Sequence, residues 1–374
     1  MKAIAHIFFA LLLISFIACE ESADVPDPGT NQANGNGNGN PNPNPNPSPT
    51  NPDWLVPIEE VLDGGPGKDG IPSIDDPQFT DVLNAASFLA DHDLVVGIKI
   101  GDQTKAYPHL ILDWHEIVND SLNGQYFSLN YCPLTGTAFA WNRNIKGNVT
   151  TFGVSGLLYN SNLIPYDRET DSEWSQLLLT SIHGENKGEE AELIQVIETS
   201  WRTWSQMYPD TRVMNTNTGF ERRYGLYPYG DYLTNNSLIF PVNPLNDLYH
   251  KKERFLGVLQ GQFLKAYRFS AVNHSPIEVR PDVFAGVPLV IVGSDSKNFL
   301  VAYQSKLEDG TELNFTAVQN ELPVVMKDQE GNKWDVFGEA VSGPRQGTRL
   351  VKMKQSIGFW FALAAFYPNP EVFR

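Results

Sequence analysis

The sequence is poor in cysteine and in positive charge, and its body has no long apolar run. Only two cysteines, Cys19 and Cys132, occur in 374 residues. A multi-disulfide framework is therefore excluded, and stability must come from a packed core. Lysine and arginine number 27 against 44 acidic residues, for a formal charge of −17. That balance argues against nucleic-acid binding, which needs a basic surface, and matches anionic lipid headgroups poorly. No Cys-x-x-Cys or His-x-x-x-His pair is present, so any metal reading rests on composition alone. Gly64-Gly65-Pro66-Gly67-Lys68-Asp69-Gly70 lacks the Gly-Lys-Ser/Thr ending of a phosphate loop and reads as an ordinary loop. Apolar content of 41% is ordinary and supports a substantial core, in one large domain or two.

The N-terminus has the form of an export signal. Lys2 precedes an almost unbroken apolar run from Ile4 to Ile17, shorter than the ~20 residues of a membrane span. Ser15-Phe16-Ile17-Ala18-Cys19 resembles a lipoprotein signal box, with residues 1–18 removed and lipid (palmitate) on Cys19; an ordinary secretory signal is the alternative. Glu20, in place of a retention aspartate, favours the bacterial outer membrane, reached through that lipid. Residues 19–53 then read as a tether, Asn-Gly alternation passing into Asn-Pro alternation, the latter extended at ~3.1 Å per residue. With Cys19 acylated, Cys132 has no disulfide partner in the chain, and a lone thiol in an oxidising compartment is either buried or used.

The body carries an internal repeat. Val96-Gly97-Ile98 and Lys105-Ala106-Tyr107 recur as Leu256-Gly257-Val258 and Lys265-Ala266-Tyr267, Trp174 as Trp334, Trp201 as Trp360, and Tyr208-Pro209 as Tyr367-Pro368. The offset stays at about 160 residues, too long for a solenoid and suited to duplication. The reading is a mainly β (α+β) fold: two homologous β-rich halves in pseudo-twofold relation, 94–215 and 255–374, each closed by a short helix. Residues 54–93 lead in, and 216–254 connect. Leu94–Ile100 and Thr104–Tyr107 form a hairpin around Gly101-Asp102. Tyr126–Tyr131, Thr137–Trp141 and Val149–Val154 are strands, and 162–174 is a hairpin with Asp167–Ser172 at its tip. Helices are expected at Ser200–Met207 and Ser356–Phe366; periodicity leaves Leu110–Val118 as helix or strand.

Residues found in one half only are candidates for a job done once. Cys132 faces Val292 and Gly293 at the repeat offset, and Arg168 faces Asp328. Pro133 has no N–H for a ladder, so Cys132 should close its strand, where side chains become accessible. His115 is the candidate base for a Cys132 nucleophile, oriented by Asp113 or Glu116. Alternatively Cys132, His115 and His109 would ligate copper or zinc. Arg168 and Asp167 could bind an anionic or polar ligand, or simply form a turn. Tyr224, Tyr227, Tyr229 and Tyr232 in the connector could wall a small-molecule cleft, or pack as a loop. Cys132 as a small buried residue is the structural alternative.

Ala106-Tyr107-Pro108, His115–Asp120, Tyr131-Cys132-Pro133-Leu134, Phe152–Gly156 and Tyr166–Thr170 through Trp174 together resemble the prokaryotic domain-of-unknown-function family 3179 over nearly the whole body. The resemblance implies no activity. Many members carry Cys-Pro-Leu-Cys at the motif; Thr135 stands at the last position here, which closes a two-thiol mechanism to this chain. Three functions remain: a ligand- or metal-binding site, a thiol-dependent reaction at Cys132, or a structural or interaction lipoprotein.

Overall fold

The computed structural model describes residues 53–272 and 276–373; the expected signal, the expected tether through residue 52 and Cys19, the expected lipid site, fall outside these residues. The fold is mainly β, with four short α-helices among the described residues. Leu94–Ile100 pairs with Gln103–Pro108 through the Gly101 turn, Val96 opposite Tyr107. Val196–Ser200 flanks this hairpin on one side, and the short Arg212–Met214 strand lies parallel to it on the other. Between those flanking strands runs the helix Trp201–Met207, capped by Ser200 Oγ accepting from Thr203 N at 3.3 Å. Its Trp204 ring packs against Gly97, where an added Cβ would sit 2.1 Å from the ring.

The same local order recurs after residue 253. Arg254–Gln260 pairs with Phe263–Arg268, Lys354–Phe359 flanks it, and Glu371–Val372 lies parallel to the hairpin. The helix here is Trp360–Phe366, so the expected start at Ser356 is corrected: the alternating Lys354–Phe359 stretch is recruited as a strand by Arg254–Gln260. The ambiguous 110–118 segment proves to be both. Helix His109–His115 ends at Glu116, and strand Ile117–Leu122 follows.

Ile117–Leu122, Gln125–Cys132 and Thr137–Asn142 form an antiparallel meander, and Phe152–Tyr159 through Thr180–His183 form a second sheet. Large side chains fuse these layers. The Trp141, Phe152 and Trp174 rings meet with centroids 5.5–6.3 Å apart, each pair adding roughly 0.5–1.5 kcal/mol beyond its area burial. The core is not partitioned at the connector. One cluster joins Cys132, Trp141 and Trp174 to Phe255, Trp360 and Phe361, and another joins Trp201 and Trp204 to Val292, Phe299 and Trp334.

Candidate functional site

Cys132 is the last residue of its strand, paired with Thr137 across a tight turn. Gly136 N donates to Cys132 O at 2.8 Å and Gly136 takes φ 63°. A side chain there would meet both the left-handed penalty and the Phe359 ring at 2.9 Å. Cys132 is only 1% exposed, and its thiol donates to Ser161 O at 3.7 Å. Beneath it Thr135, Thr137, Asn162 and Gln176 close a buried polar network: Asn162 Nδ2 donates to Gln176 Oε1 at 2.7 Å and to Thr135 Oγ1 at 2.9 Å, and Gln176 Nε2 to Asn130 O at 2.7 Å. Burial first, then the Glu116 charge, pushes the thiol up to about 11 against the opposing donors of Thr135 and Leu163. At neutral pH Cys132 is a protonated thiol.

The carboxylate that answers Cys132 is Glu116. It is 5% exposed and adopts φ 58°, ψ −39°, a conformation a bulky residue holds only when its surroundings over-determine it. Tyr229 OH donates to its Oε1 at 3.2 Å. Burial raises the Glu116 pKa to about 7, helped by the nearby Asp113 charge. Asp113 is itself raised to about 7 by burial, against the pull of His109 and a Tyr131 hydrogen bond. The two carboxyls therefore titrate as an interacting pair.

The turn at Glu116 sends His115 elsewhere. His115 is fully buried, with Nδ1 2.8 Å from Pro72 O and Nε2 2.6 Å from Tyr224 OH. The carbonyl requires an N–H at Nδ1, so Nε2 accepts from the tyrosine. Burial lowers the pKa to about 4, and the ring is neutral. His115 thus spends both ring nitrogens on Pro72 and Tyr224 and not on Cys132, and the charge that acts on the thiol is that of Glu116. His109 faces a third direction, with its ring 4.5 Å from Tyr131 and Nε2 3.5 Å from Glu198 Oε2; Arg254 holds the other Glu198 oxygen. Among the described residues no three His, Cys, Asp or Glu side chains are grouped to hold a metal. Cys132, His115 and His109 are not brought together as a ligand set.

Two of the connector tyrosines reach the turn that follows Cys132. Tyr227 OH donates to Pro133 O at 3.0 Å and Tyr232 OH to Leu134 O at 2.9 Å, so three hydroxyls, with Tyr229, latch the connector over the thiol turn. Tyr224 instead belongs to the His115 contact and accepts from Thr218. Lys252 anchors the connector: its buried ammonium lies 3.6 Å from the Tyr232 ring centroid and donates to the carbonyls of Tyr232, Asn235 and Ser237.

Asp167 and Arg168 serve the turn. Asp167 is 1% exposed and accepts from Thr170 N at 2.8 Å and Trp174 Nε1 at 3.0 Å. Arg168 binds Asp69 at 2.9 Å, Asp75 at 3.2 Å and Ser73 at 3.0 Å, which pins residues 69–75 to the second sheet. Neither joins Cys132. Sequence reasoning named Asp113 and Glu116 only as orienters of histidine; that the Glu116 charge acts on the thiol, and Asp113 on Glu116, depends on how the chain turns at Glu116, which no motif announces.

The body is a mainly β fold. The family model described as "Protein of unknown function (DUF3179)" matches residues 68–370, and the chain belongs to that family. No curated protein and no solved structure matches.

Proposed function

We propose that this chain is a bacterial envelope lipoprotein, held by lipid on Cys19 at the outer membrane through the 19–53 tether. Its function is a single thiol-dependent site in residues 94–215, with Cys132 as the reactive or ligand-holding group. The carrying observation is the buried Glu116 carboxyl on left-handed backbone, whose charge acts on the buried Cys132 thiol. Perturbed carboxyls and backbone strain concentrate at functional sites. With the latch closed the thiol is inert. Lifting Tyr227 and Tyr229 would rehydrate the cluster, lower both pKa values, and leave Glu116 placed to take the thiol proton.

A duplicated origin for 94–215 and 255–374 has specific support. Tyr107 OH and Lys105 Nζ bind Asp120 at 2.6 and 2.7 Å, as Tyr267 and Lys265 bind Asp282 at 2.7 and 2.9 Å. Trp174 Nε1 donates to Asp167 at 3.0 Å, and Trp334 Nε1 to Asp328 at 2.9 Å. Asp328 is therefore the counterpart of Asp167 and not of Arg168. Likewise Ser294, which closes the Val287–Ser294 strand, takes the place of Cys132, and Val292 and Gly293 lie within that strand. A serine there leaves the thiol to one half.

The near-complete burial of Cys132 favours a second reading, in which it is a packing residue. Alkylation of the native protein by an uncharged maleimide separates the two. A functional site opens locally: Tyr227→Ala should accelerate modification about tenfold or more with little change in global stability. If modification of every variant runs at the rate of global unfolding, the site reading fails and the packing reading stands.

A further inference from the structure

Away from Cys132, a cavity of about 670 Å³ opens beside the Thr180–His183 strand, the Gln260-Gly261-Gln262 turn and the Lys354–Phe359 strand. Its volume falls within the roughly 300–1,000 Å³ range of small-molecule sites. The apolar part of the wall comes from Leu55, Leu178, Ile182, Leu259, Met353 and Phe366. Leu55 is 53% exposed, a large apolar side chain left to water.

Two lysines join this wall, and their circumstances differ. Lys354 pairs with Glu190 at 2.9 Å, so its charge is compensated. Lys352 has no carboxylate or carbonyl acceptor for its ammonium among the described residues. It also lines an adjoining cavity of about 100 Å³ that includes Arg349, whose own partner is Glu339 at 3.0 Å. Lys352 is an exposed residue at the rim of the cavity; partial desolvation, and then the Arg349 charge, holds its pKa below the usual lysine range. A trough of mixed apolar and polar wall thus has one cation without an acidic partner at its rim.

We propose that this cavity binds a single-chain amphiphile with a carboxylate head, its alkyl chain against Leu178, Leu259 and Met353 and its head on Lys352. Charge complementarity selects the anion. One ammonium is a point charge suited to a monoanion, whereas a phosphate dianion is held by several cations or an arginine fork. The glutamines at 260, 262 and 304, which also line the cavity, offer neutral donors to the second carboxylate oxygen. This assignment is independent of Cys132.

Calorimetric titration of the purified chain with decanoate, below its micelle concentration, tests it. Decanoate should bind with one molecule per chain. Lys352→Met should weaken it about tenfold, while Lys354→Met changes it much less, with both variants melting as the parent does. Neutral 1-decanol should bind the parent and Lys352→Met equally. Decanol binding as tightly as decanoate, an unaltered decanoate affinity in Lys352→Met, or several molecules bound per chain would each overturn the proposal. Tighter binding of decyl phosphate than of decanoate would overturn the carboxylate assignment.

Discussion

Replacing Glu116 by glutamine should make the protein more stable, and by an amount set by pH. The Glu116 carboxyl has a folded-state pKa of about 7 against an ordinary 4.5, because it is buried beside Asp113. Between those values the folded chain holds a proton that the unfolded chain has lost, so wild-type stability falls as pH rises through this window. The loss is complete above about pH 7 and amounts to roughly 3 kcal/mol at ~1.4 kcal/mol per unit. His115 runs the other way. Its pKa is depressed to about 4, so its contribution grows from about pH 4 to 6.5 and partly masks the Glu116 slope in the wild-type curve. Subtracting the wild-type curve from that of Glu116→Gln removes the histidine. The amide oxygen can still accept from Tyr229, so the steric change is small. Urea unfolding at several pH values should give a stability difference near its minimum at about pH 4.5 that climbs by about 3 kcal/mol toward pH 8. Asp113 should then titrate lower, since its partner charge is gone. A difference constant across this range would refute the buried, ionisable Glu116 on which the site rests.

Two further outcomes follow from packing. Gly97→Ala drives a methyl into the Trp204 ring at 2.1 Å, whereas Gly257→Ala meets only Leu264 and Leu363 methyls at 3.1 Å. Urea midpoints should show a loss of about 3 kcal/mol for the first and about 1 kcal/mol or less for the second, and equal losses would contradict the described packing. Lys252→Met strips the donor from three connector carbonyls, of which that of buried Tyr232 should cost about 1–3 kcal/mol and the more exposed two less. Limited proteolysis should then cut within residues 216–254 and maleimide should reach Cys132 sooner, while an unchanged digest would show that the anchor lies elsewhere.

The sequence made local pairing legible wherever alternation and turn chemistry agree. The hairpin about Gly101, the strand ending at Cys132 before Pro133, and the helix after Ser200 stand where these rules put them. The Ser356 helix start misleads because Lys354–Phe359 takes its conformation from Arg254–Gln260, a partner about a hundred residues away in the chain. The site was half legible. Cys132 and the tyrosines could be singled out by rarity and clustering, and three of the four tyrosines do close over the thiol turn. Pairing Cys132 with His115 rested on residue chemistry alone; in the fold the imidazole meets Pro72 and Tyr224, while the next residue, Glu116, takes a positive φ and turns its carboxyl to Tyr229. His109–Glu198–Arg254 was invisible because its three members are joined only by folding.

The tyrosine latch also has a timetable. Tyr227 follows Cys132 by 95 positions, and a chain grown from its N-terminus at ~5–20 residues per second presents the thiol turn on the order of 5–20 s before the latch exists. The aromatic partners at Phe359 and Phe361 arrive later still. Until residues 227–232 have followed, the turn after Cys132 stands uncovered, so sealing of the thiol belongs to the late part of this chain's folding.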